Sequence, residues 1–150
     1  MQPSFMNKLL TSRAGYAALV LRVPVGIILA AHGAQKLFGW FGGNGLAGTA
    51  GWLSSIGIEP GYLMAILAGG AEFFGGLALI IGLLTRPAAI VAAFTMLVAI
   101  FSVHFSNGLF MSNNGYEYAL TLMVALLALV IQGAGRFSID NRLSKKVGHA

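Results

Sequence analysis

Four long apolar runs occupy most of this 150-residue chain and constrain its fold more than any other feature. A helix needs about 20 apolar residues to cross the hydrocarbon core of a bilayer. Only 9% of the residues are charged, against about 25% in soluble domains. The runs are continuous rather than alternating and too few to close a barrel, so helices must satisfy their backbone in lipid. The sequence therefore predicts an all-α integral membrane four-helix bundle forming one domain, with spans at about 16–38, 61–84, 88–105 and 116–132.

Lysine and arginine residues are concentrated on one side of these four spans. The amino-terminal segment, the turn between spans 2 and 3, and the carboxyl-terminal segment share that side, while Lys36 lies at the edge of the other. Because positively charged flanks stay in the cytoplasm, we predict that both termini are cytoplasmic. The net charge of +5 then reflects topology, and no nucleic-acid partner is expected. The residues on the basic side are Lys8, Arg13, Arg86, Arg136, Arg142, Lys145 and Lys146.

Two ionisable residues lie deep in the predicted spans, Arg22 in span 1 and Glu72 near the middle of span 2. An unpaired charge at such a depth costs at least a few kcal/mol, so each residue needs a partner. A long arginine side chain could reach Glu72 from its height in the bilayer. We therefore predict an intramembrane ion pair between Arg22 and Glu72. Two interpretations stay open: a pair that only fixes spans 1 and 2, and a pair that also holds or protonates a ligand.

A second group of polar residues lies at the outer ends of three spans. At about 100° per residue, His32 and Lys36 share a helix face with Arg22, and Gln35 lies near its edge. His104 and Glu117 fall at the same outer level on spans 3 and 4. We predict a ligand-binding pocket there, formed by His32, Gln35, Lys36, His104 and Glu117, with aromatic walls from Phe38, Trp40, Phe41 and Phe110. No metal site is predicted, because no zinc-ligand spacing is present.

The motifs as a set resemble the DoxX family of small bacterial membrane proteins. They are "HGAQKLFGWFGG", "AEFFGGLALIIGLLTRPAA", "HFSNGLF", "GYEYALTLM" and "GRFSID", spread in this order over about residues 20–142. The resemblance implies four transmembrane helices in the bacterial cytoplasmic (inner) membrane. Related proteins include a subunit of a thiosulfate–quinone oxidoreductase, and others lie beside enzymes that handle catechols and quinones. The motif residues that this chain retains are His32, Gln35, Lys36, Glu72, His104 and Glu117.

Several functions are compatible with these features. The first is a membrane redox component with a quinone-type or other small-ligand pocket near the outer face. It could be a subunit of a quinone-linked oxidoreductase with a protein partner; whether the chain is catalytic stays open. The second is a carrier or channel for a small solute, which would need a homo-oligomer. The third is a scaffold for a partner protein, with purely structural polar residues.

Haem held by His32 and His104 is disfavoured, because nothing else in the sequence points to it. The chain has no cysteine, so a redox role needs a cofactor, substrate or partner.

Overall fold

The structure is a computed structural model that describes residues 5–147, and this part of the chain contains helices and turns but no strand. The third long helix continues beyond Ala99 through a π-helical segment, Ile100–His104, and a short 3-10 turn, Phe105–Asn107. The predicted all-α class is therefore confirmed. The helices are α1 (Phe5–Leu10), α2 (Gly15–Phe38), α3 (Gly45–Ser55), α4 (Gly61–Ile81), α5 (Thr85–Ala99), α6 (Glu117–Gln132) and α7 (Ile139–Val147).

Three of these elements are long and apolar enough to cross a membrane: Gly15–Phe38, Gly61–Ile81 and Thr85–Asn107. Their bounds lie within a few residues of the first three predicted spans. The fourth apolar helix, α6, has 16 residues, so at 1.5 Å per residue it measures about 24 Å. That is shorter than the hydrocarbon core of about 30 Å. The structure thus confirms three candidate spans, and the fourth predicted span, 116–132, corresponds to this shorter apolar helix.

The four long helices pack in a ring in which α2 contacts α4, α4 contacts α5, α5 contacts α6, and α6 contacts α2. Their shared interior is built from fully buried leucines such as Leu29, Leu79, Leu126 and Leu129. Large apolar side chains point outward along the same helices, as expected for surfaces that contact a lipid bilayer. They include Val20, Ile27, Phe74, Phe94, Phe101 and Ile131.

The tightest helix contact, between α2 and α4, is made by glycines spaced seven residues apart. Gly26 and Gly33 on α2 meet Gly69 and Gly76 on α4, and a Cβ atom at Gly33 would lie 2.3 Å from the amide nitrogen of Phe73. Small residues let helix backbones approach closely in lipid. Ala71, Gly75, Ala78 and Gly82 form a second row of small residues on α4. In the structure Gly75 lies toward α5, and Gly82 ends α4 with a φ of 67°.

The connections divide the molecule into two ends. At one, which we call the terminal end, residues 5–14, the turn 82–84 and the segment 133–147 come together, since Arg86 contacts Leu9 and Ile131 and Asp140 contacts Leu84. At the other, which we call the loop end, lie residues 39–60, including α3, and residues 105–116. Successive long helices therefore run in opposite directions between the two ends.

Because of this glycine contact, the loss of stability caused by adding one methyl group to α4 should depend on where the group is added. Gly76→Ala should lower the free energy of unfolding by about 1–3 kcal/mol or more, because the new Cβ would lie 2.5 Å from the amide nitrogen of Ala30. Gly70→Ala is the matched control, since nothing lies within 4 Å of its Cβ position, and alanine favours helix. Unfolding titrations in mixed micelles measure both. Equal stability of the two variants would contradict this packing.

Candidate functional site

Polar side chains from α2, α4, α6 and the π-helical segment line one cavity near the loop end. Its volume is about 130 Å³. Three of the five residues predicted for a ligand pocket line it: His32, Lys36 and His104. Glu72 joins them, and so does Tyr118, which the sequence interpretation missed. The apolar part of the wall comes from Leu29, Met96, Ala99, Ala119 and Leu122.

Lys36 and Glu72 form the cavity's ion pair, with the ammonium nitrogen 2.5 Å from Oε2 of the carboxylate. It is the sole salt bridge found within residues 5–147. Glu72 is 3% exposed, whereas 29% of the Lys36 side chain is exposed. Gly33 and Gly69 each precede one of these residues by three positions, about one helical turn. The close backbone approach at these glycines brings the two side chains together across α2 and α4.

His104 is the last residue of the π-helical segment, an irregularity that is often found at functional sites. Its Nδ1 lies 2.8 Å from the carbonyl oxygen of Asn114. A carbonyl can only accept a hydrogen bond, so we assign the proton to Nδ1. In the neutral ring Nε2 is then an acceptor. The backbone of the 105–116 loop thus fixes the hydrogen-bonding character that His104 presents.

His32 and Tyr118 face each other across the cavity, on α2 and α6. Their rings have centroids 6.0 Å apart, and the tyrosine hydroxyl lies 3.5 Å from Nε2 of His32. That separation is at the outer limit for a hydrogen bond. Both groups therefore keep most of their hydrogen-bonding capacity for a ligand in the cavity that approaches them from the side.

Gln35 and Glu117 lie outside the cavity and brace the loops beside it. The Gln35 amide donates to the carbonyl oxygen of Phe41 at 3.2 Å, and the Glu117 carboxylate accepts from the Met111 amide at 2.7 Å. Amides and carbonyls in loops have no regular helical partner, so these two side chains form hydrogen bonds with the nearby loop backbone instead of with a ligand. The aromatic residues predicted for the walls are also elsewhere: Phe38, Trp40, Phe41 and Phe110 are exposed and absent from the cavity lining.

Arg22 and Glu72 do not pair with each other, contrary to the prediction. Gly33 touches Phe73, the residue after Glu72. Lys36 is three residues from Gly33, about 4.5 Å along the helix axis, whereas Arg22 is eleven residues away, about 17 Å. The lysine is therefore the nearer partner for the carboxylate, and Arg22 finds other acceptors.

The fully buried Arg22 donates five hydrogen bonds to backbone carbonyls at the terminal end. These equal the five N–H donors of a guanidinium. Leu79 and Ile80 belong to the last turn of α4, where carbonyls lack the regular i+4 amide partner, and the others belong to the loop after α6. The acceptors are Ala134 (2.9 Å), Leu79 (3.0 Å), Ile80 (2.6 Å), Arg136 (3.1 Å) and Phe137 (2.5 Å).

Arg86 and Asp140 complete this arrangement, and the sequence interpretation gave neither a structural role. Arg86 caps the last turn of α6 through the carbonyls of Val130 and Ile131. The buried Asp140 accepts from the amides of Leu84 and Thr85, at 2.7 and 2.9 Å, and so caps the start of α5. The terminal end is thus held by hydrogen bonds between buried or half-buried side chains and backbone groups at the helix ends, whereas the cavity contains side chains with unused hydrogen-bonding capacity.

The family model for DoxX matches residues 17–105, which is more than half of the chain. The match includes Arg22, His32, Lys36, Glu72 and His104. The chain belongs to the DoxX family. The family membership and the three candidate spans place it among multi-pass proteins of the bacterial inner membrane, in contact with the lipid bilayer.

Three relatives align with most of this DoxX-family chain. The Escherichia coli inner membrane protein YqjF is 37% identical over 131 residues, covering 81% of this chain and 95% of that protein. An uncharacterized Haemophilus influenzae protein is 34% identical over 148 residues, covering 94% and 100%. The Bacillus subtilis protein named "Putative oxidoreductase CatD" is 35% identical over 111 residues, covering 74% and 76%. No solved structure gives a significant match.

The role of Arg22 gives a prediction about stability. Arg22→Lys retains the charge but offers three donors in place of five, so it should lower the free energy of unfolding by about 1–3 kcal/mol. Arg142→Lys, at an exposed position on α7, is the matched control and should have little effect. Unfolding titrations in mixed micelles measure both changes. An Arg22→Lys variant that is as stable as the wild-type protein would contradict the capping role.

Proposed function

We propose that this chain is the membrane component of a redox system and that its cavity binds the headgroup of a quinone or quinol. The observation that carries the proposal is the meeting of five side chains in a single cavity of an otherwise apolar helix assembly. They are His32, Lys36, Glu72, His104 and Tyr118. Ionisable groups placed inside a membrane protein are commonly functional.

In this proposal α6 crosses the membrane as the fourth span of a single four-helix domain, and both termini are cytoplasmic. The convergence of residues 5–14, 82–84 and 133–147 at one end supports four crossings. The basic residues Lys8, Arg13, Arg86, Arg142 and Lys146 belong to that terminal end, as the positive-inside rule requires. The bilayer thins slightly around a helix that is short for it, at modest cost. The cavity then opens near the outer face.

The size of the cavity suits a single six-membered ring. A cavity of about 150 Å³ in another protein accepts benzene, and the cavity here measures about 130 Å³. A quinone headgroup is such a ring with two oxygens, and its isoprenoid tail could leave between the helices into lipid. Haem between His32 and His104 is disfavoured, because a porphyrin is several times larger than this space.

The chemistry of the lining suits both oxidation states of a quinone. Quinone oxygens accept hydrogen bonds, which Lys36 and Tyr118 can donate. Quinol hydroxyls donate hydrogen bonds, which the Nε2 atom of His104 and the Glu72 carboxylate can accept. Reducing a quinone to a quinol takes up two electrons and two protons. The histidines and Glu72 can relay protons. In this proposal a partner oxidoreductase supplies the two electrons.

The carrier interpretation receives less support from the structure. Below the cavity the interior is filled by buried apolar side chains, including Leu29, Leu79 and Leu126, and Arg22 ties the helix ends together beyond them. No continuous polar path therefore crosses the described part of the chain. A redox role also agrees with the word oxidoreductase in the name of the CatD relative, whereas a purely structural scaffold would not require the cavity.

Titration of the purified protein with a short-chain quinone tests the proposal. We expect saturable binding, measured by isothermal titration or by a rise in the unfolding temperature. Tyr118→Phe should raise the dissociation constant roughly 3- to 10-fold, the value of one hydrogen bond. Tyr62→Phe is the matched control, because Tyr62 is 58% exposed on α4 and outside the cavity.

Three outcomes would contradict the proposal. An absence of saturable binding by the wild-type protein would favour the scaffold. Binding that Tyr118→Phe and Tyr62→Phe affect equally would mean that the quinone binds elsewhere on the protein. Quinone binding unchanged in both variants would count in the same way.

A further inference from the structure

A large cleft at the terminal end lies on the opposite side of the molecule from the proposed quinone cavity. Its volume is about 650 Å³. Cations from three segments line it: Lys8 from α1, Arg13 from the segment before α2, and Arg86 from the first turn of α5. None of the described residues that line it is acidic. The cleft is therefore positively charged without a counter-ion from its own walls.

The three cations retain capacity for an anion. Arg86 donates four hydrogen bonds to carbonyls, from Leu9, Val130, Ile131 and Thr11, so one of its five N–H groups is left over. Lys8 and Arg13 are exposed, and neither makes a hydrogen bond or ion pair to another residue between 5 and 147. An anion in the cleft would thus meet three positive charges that no carboxylate neutralises.

The position of the cleft points to a lipid. Arg13 lies two residues before α2 begins at Gly15, and Arg86 is the second residue of α5, so both are at the level where headgroups flank the hydrocarbon core. Ile131 lines the cleft and is 80% exposed. Leu127 and Val124, which lie one and two turns further into α6, are also exposed. These three side chains form an apolar track that runs from the cleft along the outer surface of α6.

We propose that this cleft binds the phosphate of an anionic phospholipid, with an acyl chain lying along Val124, Leu127 and Ile131. Basic pockets on the cytoplasmic side of transmembrane helices suit anionic headgroups. The bound lipid would bridge α1, α5 and α6, which Arg86 already links through its hydrogen bonds to Leu9, Val130 and Ile131. This inference rests on the proposed topology, in which α6 crosses the bilayer and the terminal end is cytoplasmic, and it is independent of the quinone cavity.

The experiment titrates the full-length purified protein with phosphatidylglycerol and counts bound lipid by native mass spectrometry. Phosphatidylcholine with the same acyl chains is one comparison, and glycerol phosphate without acyl chains is another. We expect one phosphatidylglycerol to bind tightly and neither comparison compound to replace it. In the double variant Lys8→Gln/Arg13→Gln the affinity should fall about 30-fold, as expected for two cations near a membrane surface.

The double variant Arg142→Gln/Lys146→Gln is the matched control. It also removes two exposed cations from the terminal end and lowers the net charge equally, but neither residue lines the cleft. It should change the affinity by less than about 3-fold, because exposed charges are screened within about 8 Å at physiological salt. Equal losses in the two double variants would overturn the proposal in favour of diffuse attraction. Equal binding of phosphatidylcholine, or displacement by glycerol phosphate alone, would also overturn it.

Discussion

The contacts of Arg22 with five backbone carbonyls are the interaction on which the arrangement of the helices depends. The bilayer interior offers no water to backbone groups, so polar groups there must find partners within the protein. Arg22 supplies donors both to the last turn of α4 and to the loop after α6. One side chain of α2 therefore fixes the ends of two other helices. Arg86 does the same for α6 and the segment before α2.

Fixing the helices at the terminal end leaves the loop end to hold side chains whose hydrogen bonds are incomplete. The glycines at the α2–α4 contact bring the backbones close enough for Lys36 to reach Glu72. The π-helical segment of α5 turns His104 toward the 105–116 loop, where Asn114 holds one of its nitrogens. The other polar groups of the cavity face a space of about 130 Å³, which is large enough for one six-membered ring. The unused hydrogen-bonding capacity of the side chains that line this space is what supports a ligand site.

The sequence predicted the helical class, four spans, three of which the structure confirms as candidate spans, and three of the five side chains that meet in the cavity. These features could be predicted because apolar run length and helical periodicity act locally. The sequence could not predict the partner of Arg22. The estimated heights of Arg22 and Glu72 in the bilayer allowed the two side chains to meet. The actual acceptors are backbone carbonyls, which every residue type has, so the sequence cannot mark them. Glu117 and Tyr118 are adjacent, and the rotation of about 100° between them decides which one lines the cavity. That rotation is set by the packing of α6 on α2 and α5.

The central claim is that the cavity at the loop end holds a quinone headgroup in the cell. The most direct measurement is extraction of the protein from bacterial membranes in mild detergent, followed by mass spectrometry of the small molecules that remain bound. We expect close to one bound quinone per chain in the wild-type protein. We expect the amount of bound quinone to fall clearly in the His104→Phe variant, which keeps an aromatic ring but lacks the ring nitrogens. Wild-type protein that carries no quinone, or His104→Phe that retains the wild-type amount, would contradict the central claim.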